Sequence, residues 1–231
     1  GITALLRVAG RNPARVQAAD IGFAVGPRVN AAGRIDDMAL GIRCLISDDA
    51  DTALALATEL DRLNRERRGI EERMKQQAES MLADWRPEDG GELPWGLCLY
   101  QPAWHQGVIG ILAARIKERF HRPVIAFAQA GDDELKGSAR SVAGLHVRDA
   151  LDAVAARHPG LIGRFGGHAM AAGLTLNREN YAAFAAAFDD ECRRHLMADD
   201  LNGTIHSDGE LSGGELSLEA ARHLRDAGPW G

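Results

Sequence analysis

Four short stretches of this 231-residue chain gather residue types that grip anions. In Gly26-Pro27-Arg28-Val29-Asn30-Ala31-Ala32-Gly33-Arg34, Arg28 and Arg34 flank Asn30. Two guanidinium forks around an amide suit a phosphate or a base edge. The alternative is that both Arg pair with Asp36 and Asp37 at the surface. In Trp104-His105-Gln106-Gly107-Val108-Ile109-Gly110, a strand candidate passes into a helix candidate. A helix start offers free amides and a positive dipole end, and His105 and Gln106 add donors beside Gly107. A tight turn capped by a side chain explains the same residues. In Lys136-Gly137-Ser138-Ala139-Arg140-Ser141, hydroxyls alternate with Arg along a strand. Ser138, Arg140 and Ser141 suit phosphate oxygens, and a solvated strand edge is the bland alternative. The fourth stretch runs from Gly163 to Gly173 and holds Gly166-Gly167-His168. The glycine pair opens backbone angles closed to other residues. His168 is suited to donating to a phosphate or to acid/base work, or to being a plain loop residue.

No zinc-protease His pair, phosphate-binding P-loop or serine elbow is present. Asp36-Asp37, Asp48-Asp49 and Asp132-Asp133 have no His beside them to complete a two-metal set. The three cysteines are far apart and unpaired in spacing, which argues against a disulfide scaffold and for a reducing cytoplasm. No apolar run is long enough to span a membrane. The net charge of −6 sits in the last quarter, where residues 176–231 carry 5 basic and 11 acidic groups. A non-specific basic coat is thereby excluded, but a local anion site is not. Residues 134–168 hold five basic groups against three acidic ones.

These residues must be positioned by a chain that changes pattern midway. Residues 2–9 read as a helix ended by Gly10. A short helix is expected at 17–25, and the Gly-Pro-Arg stretch after it is too rich in breakers for a regular element. Another helix follows at 37–46. Ala53, Leu56, Leu60, Leu63, Ile70, Met74 and Met81 then recur at nearly 3.5-residue spacing. That predicts one long helix over 50–82, with Asp48, Asp49 and Asp51 at its start to cap free amides and oppose the dipole. It reads either as a coiled-coil strand or as a bridge between two domains. Residues 86–94 read as a boundary loop. Beyond it, strands are expected at 96–100, 123–128, 134–140 and 171–176, and helices at 107–120, 146–157 and 178–195. The fold class is α/β. A short strand at 203–208 and a helix near 217–226 close the chain. The abrupt ends at Gly1 and Gly231 suggest a piece of something longer.

Taken in order, the four motifs resemble the RecJ family of single-stranded-DNA-specific exonucleases, within the DHH phosphoesterase superfamily. The Gly-Gly-His-x-x-Ala-Ala-Gly element alone is less specific. It is shared with small DHH phosphoesterases and alanyl-tRNA synthetase. The resemblance implies a division into the tail of a DHH catalytic domain (1–48), a long interdomain helix (49–85), a mixed-sheet DHH-associated domain (86–200) and a truncated OB-fold (201–231). It implies 5′ to 3′ hydrolysis of phosphodiesters in single-stranded DNA, used in recombination and repair. Mn²⁺ or Mg²⁺ would be held upstream of Gly1, with no metal on this chain and no activity of the chain alone. It further implies that Arg28, Asn30, Arg34, His105, Gln106, Ser138, Arg140, Ser141, Gly166, Gly167 and His168 face DNA. His168 is the one residue with a catalytic claim. A single-strand-binding protein and a helicase are the implied partners of the whole enzyme. The alternatives are a phosphoesterase of short oligonucleotides and a standalone nucleic-acid-binding module. With aromatic residues at only 5%, recognition should run mainly through backbone phosphates and be steep in salt.

Overall fold

A computed structural model describes residues 1–84, 93–204, 207 and 209–228. The first unit is helical. Helix α1 (Ile2–Val8) stops where Gly10 takes φ +70°, and its last carbonyls are closed by the amides of Gly10 onto Arg7 (2.9 Å) and Arg11 onto Leu6 (2.8 Å). A short α2 (Ala18–Asp20) runs through a π turn (Ile21–Val25) into α3 (Gly26–Ile35), and α4 (Ala39–Ile46) follows. The Gly-Pro-Arg stretch is therefore helix and not the irregular segment its composition suggests. Pro27 has no N–H to return to the preceding turn. The chain takes in an extra residue ahead of it, so that the Gly26 amide reaches back to the Ile21 carbonyl.

Helix α5 (Ala50–Ala83) has 34 residues, about 50 Å at 1.5 Å per residue. The Asp49 side chain caps it by accepting from the Thr52 amide at 2.8 Å. It is a bridge and not a coiled-coil strand, because its two halves enter different cores. Leu60 and Leu63 pack with Leu5, Leu6, Val25 and Cys44. Met74, Ala78 and Leu82 pack with Leu97, Leu99, Ile109 and Leu112 of the second unit. Most of the expected boundary loop at 86–94 lies outside the described residues.

The second unit is a five-stranded mixed sheet in the order β1-β2-β3-β5-β4. Its strands are β1 (Leu97–Tyr100), β2 (Val124–Gln129), β3 (Glu134–Arg140), β4 (Arg164–Gly167) and β5 (Ala171–Asn177), and only β1 and β2 are parallel. Helix α6 (Ile109–Phe120) crosses between those two. Helices α7 (Val147–Arg157) and α8 (Tyr181–His195) cover one face, where Leu135, Leu174 and Leu176 meet Leu151, Phe184 and Phe188. Helix α6 covers the other face over β2 and part of β3. Strand β4 was expected as loop. Gly166-Gly167 is a poor strand former, and only pairing with β5 makes it one. Helix α9 (Leu218–Ala227) matches the expected last helix. Of the strand expected at 203–208, residues 205, 206 and 208 lie outside the described residues, and 203, 204 and 207 are not in a strand. The described part of 201–228 therefore shows no OB-fold strand.

Candidate nucleic-acid interface

Register builds the site. Residues directly opposite in an antiparallel pair share a face. Lys136 faces Thr175, Ser138 faces Gly173 and Arg140 faces Ala171 across β3 and β5. Arg164 then faces Thr175 and Gly166 faces Gly173 across β4 and β5. All of these lie on the face that α6 leaves open. The register thus lays Gly166, Ala171, Gly173 and Thr175 between the two outer rows as the floor of a shallow trough. Two strand spacings, roughly 10 Å, separate the β3 row from the β4 row. Lys136, Ser138 and Arg140 form one wall and Arg164 stands on the other.

The floor glycines are informative because the fold does not require them. A Cβ on Gly166 would meet nothing within 4 Å, and one on Gly173 only the Gly137 carbonyl oxygen at 3.9 Å. Neither has a left-handed backbone. Gly137 and Gly167 differ. A Cβ on Gly137 would strike Phe127 and Leu174, and Gly167 has φ +150° with its Cβ position 2.4 Å from the Ala171 oxygen. Glycine that folding does not need, on an exposed strand face, fits close approach of another backbone.

The walls are cationic without local compensation. Lys136, Arg140, Arg164 and Arg34 make no ion pair among the described residues. Glu134, at the end of the β3 row, is the one carboxylate on that strand face. Arg140 is half-buried over Gly110, and its Nη1 donates to Ser138 Oγ (3.2 Å) and the Ala139 carbonyl (2.7 Å). Burial lowers its pKa from the ordinary arginine value, and the nearby charge of Arg34 lowers it further. Two like charges held close with no carboxylate between them favour an incoming anion.

Arg34 reaches this place from the helical unit. Its Nη1 donates to the Gly107 carbonyl at 3.2 Å, and a Cβ on Gly107 would lie 1.8 Å from the Arg34 backbone oxygen. Gly107 is thus the contact point of the two units. A hollow beside it is lined by Arg34, His105, Gln106 and Lys136. The α6 start is partly closed. The Gly107 amide donates to His105 Nδ1 (3.1 Å), and the Val108 and Ile109 amides donate to the His105 carbonyl. With Nδ1 accepting, the hydrogen falls on Nε2, an exposed donor. Gln106 is anchored by its Nε2 on the Gln129 carbonyl at 2.8 Å. Trp104 is buried, and its Nε1 donates to Gln77 of α5 at 2.9 Å.

His168 is exposed at the tip of the β4–β5 hairpin, its amide on the Ala171 carbonyl at 2.8 Å. Two expected residues are drawn elsewhere. Arg28 is committed to the fold, with Nε and Nη2 on Asp61 of α5 (2.9 and 2.8 Å) and Nη1 on the Ala24 carbonyl (2.7 Å). It pairs with neither Asp36 nor Asp37. Ser141 is buried and donates its hydroxyl to the Leu145 carbonyl at 2.8 Å. Ser141 has the parity of the buried Ala139 and not of Arg140, so it lies off the row formed by 136, 138 and 140. Asn30 is exposed on α3, away from the trough, in a separate groove. Lys136, Arg164 and Gly173 were missed as site residues. The parity of 136, 138 and 140 was visible in the sequence, but the pairing that adds 164 and 173 was not. Among the described residues no three His, Cys, Asp or Glu side chains gather as a metal ion requires.

Known proteins show the same chain pattern. Residues 96–194 match the model of the DHHA1 domain. Over its whole length the chain is 54% identical to the single-stranded-DNA-specific exonuclease RecJ of Dickeya dadantii and 52% identical to that of Escherichia coli. It spans 40% of the length of each. The crystal structure of RecJ from Thermus thermophilus in complex with Mg²⁺ superposes with a TM-score of 0.79 at 32% identity, covering 98% of this chain and 33% of that one. A second structure of that protein, with Mn²⁺, superposes equally well. By sequence along its full length and by the fold of its sheet and bridging helix, the chain is similar to a part of the RecJ exonucleases, with residues 96–194 matching the DHHA1 domain.

Proposed function

We propose that this chain supplies the strand-holding part of a metal-dependent 5′ to 3′ exonuclease acting on single-stranded DNA in repair and recombination. The observation that carries the reading is Arg140, half-buried beside Arg34 without a carboxylate, at the head of a glycine-floored trough. A DNA backbone lying on Gly166 and Gly173 would bring phosphates to Arg140, Lys136 and Arg164, with Ser138 and His168 as further donors. Among the described residues no aromatic side chain stands on that face, which favours recognition of backbone over base. A floor roughly two strand spacings wide suits one backbone.

The proposal extends to the division of labour. Residues 1–48 would close a catalytic domain, 49–85 would set the spacing and 86–200 would hold the strand, with 201–231 opening a further unit. Two cores joined by one helix support this division. Mg²⁺ or Mn²⁺, present in the Thermus structures, would be held by residues outside the described set. The chain alone would bind without cleaving. A single-strand-binding protein and a helicase remain the expected partners of the whole enzyme. No helix among the described residues is long and apolar enough to cross a membrane.

The test is fluorescence anisotropy of a 5′-phosphorylated single strand of about 20 nucleotides, titrated at several salt concentrations. Binding that weakens with salt, and a slope reduced by about 0.7 in Arg140→Ala, is expected for one lost phosphate contact. An unchanged slope in that variant would overturn the assignment.

A further inference from the structure

A second hollow lies across the Arg34–Gly107 contact from the trough. It is a groove of about 670 Å³ between α3, α5 and α6. Its lining includes Asn30 and Arg34 of α3, Arg67 and Arg68 of α5 and Arg115 of α6, with Phe23 of the π turn at its edge. Phe23 is 80% exposed, the highest exposure of any large apolar side chain described. Water around a free phenyl ring is costly, and none of the described residues covers this one.

The charges are unequal in their commitments. Glu71 is taken by Arg67 (2.6 Å) and Arg115 (3.4 Å), and Glu72 stands 3.9 Å from Lys75. Arg67 is nine-tenths buried at the groove wall, with Nη2 on Asn64 and an Nε that has no hydrogen-bond partner. Arg68 makes no ion pair among the described residues, and Arg34 has only the Gly107 carbonyl. The groove therefore offers the guanidinium of Arg68, that of Arg34 beyond its one bond to Gly107, and an amide beside an open aromatic ring. That combination is how single strands are held without sequence preference, by phosphate contacts with a base stacked on a ring.

We propose that this groove is a second subsite for a single-stranded nucleic acid, in which Arg68 and Arg34 hold a phosphate and Phe23 stacks a base. It rests on the strand path proposed above and extends it, since Arg34 lines both hollows and joins them. The trough, with no aromatic, would read backbone only. The groove would add stacking, and only for strands long enough to pass the Arg34–Gly107 contact.

The experiment compares oligothymidylates of about four and about 20 nucleotides by anisotropy. The proteins are this chain, its Phe23→Ala/Arg68→Ala double variant and Arg140→Ala. Both groove side chains are exposed, so their removal leaves no cavity. The double variant should bind the long strand about tenfold more weakly, within the range of one stacked base, and its salt slope should fall by about 0.7. Its affinity for the short strand should stay within about twofold of the parent chain's, since no groove contact is lost there. Arg140→Ala should weaken both strands. A double variant that binds both like the parent chain, or loses both equally, overturns the subsite. Failure of Arg140→Ala to weaken either strand overturns the trough instead. Absence of any binding at low salt overturns both.

Discussion

Replacing Gly173 by valine separates folding from binding in a way few substitutions here can. Gly173 lies mid-strand on β5, between Ser138 and Gly166. A Cβ there meets only one atom, at 3.9 Å. Glycine inside a strand costs about 0.5–1 kcal/mol of backbone entropy relative to alanine, and valine is a good strand former. For a chain of this size that gain corresponds to a rise of roughly 1–4 °C in Tm. The ligand side runs the other way. The valine methyls would lift a bound backbone off the floor by roughly one carbon–carbon contact step, breaking a phosphate contact with Arg140 or Arg164. A hydrogen bond to a charged group is worth about 1.5–3 kcal/mol net, so Kd should rise at least about tenfold. Thermal melting by circular dichroism and anisotropy with single-stranded DNA read the two effects. A Tm loss beyond about 5 °C would show that Gly173 is needed by the fold. An unchanged Kd with an unchanged Tm would show that no strand lies on this floor.

Arg28→Ala should behave in the opposite manner. It strips a largely buried ion pair from Asp61, so stability should fall by about 1–3 kcal/mol, while the salt slope of DNA binding stays that of the parent chain. Gly107→Ala forces a Cβ into the Arg34 carbonyl, so both Tm and DNA affinity should drop together, because the end of α3 and the start of α6 are pushed apart. Cys44 and Cys192 are fully buried, and burial pushes both thiols above the ordinary cysteine range. Alkylation with iodoacetamide at neutral pH should therefore modify at most Cys98 in the native chain and all three cysteines after denaturation. Rapid native labelling of Cys44 or Cys192 would contradict the packing of the cores.

What the sequence made legible follows from locality. The long bridging helix was readable because its apolar spacing and its Asp49 cap are local signals. Strands β1, β2, β3 and β5 were readable because each carries its own alternation or apolar run. Helix α3 was not, since Gly26-Pro27 normally ends a helix and only the π turn ahead of it absorbs the missing amide. Strand β4 was not, since its backbone order comes from β5 and not from its own residues. The same division holds at the site. Arg140 and His168 stood out by type and neighbours, and both face outward near the trough. Arg28 looked equivalent, yet its partner Asp61 is 33 residues away and no spacing rule could assign it. The trough itself depends on the pairing of Gly166 with Gly173 and of Arg164 with Thr175. Such register is a tertiary fact, visible only once β5 lies between β3 and β4.

The central claim is that a single strand lies along the open face of β3, β5 and β4. Backbone amide shift mapping of the ¹⁵N-labelled chain, titrated with an oligothymidylate, tests it directly. The largest shifts should fall at Ser138, Arg140, Gly166, Gly167, His168 and Gly173, with α7 and α8 on the opposite face unmoved. Saturable shifts confined to α7 and α8, with the amides of Gly166 and Gly173 unchanged, would contradict it.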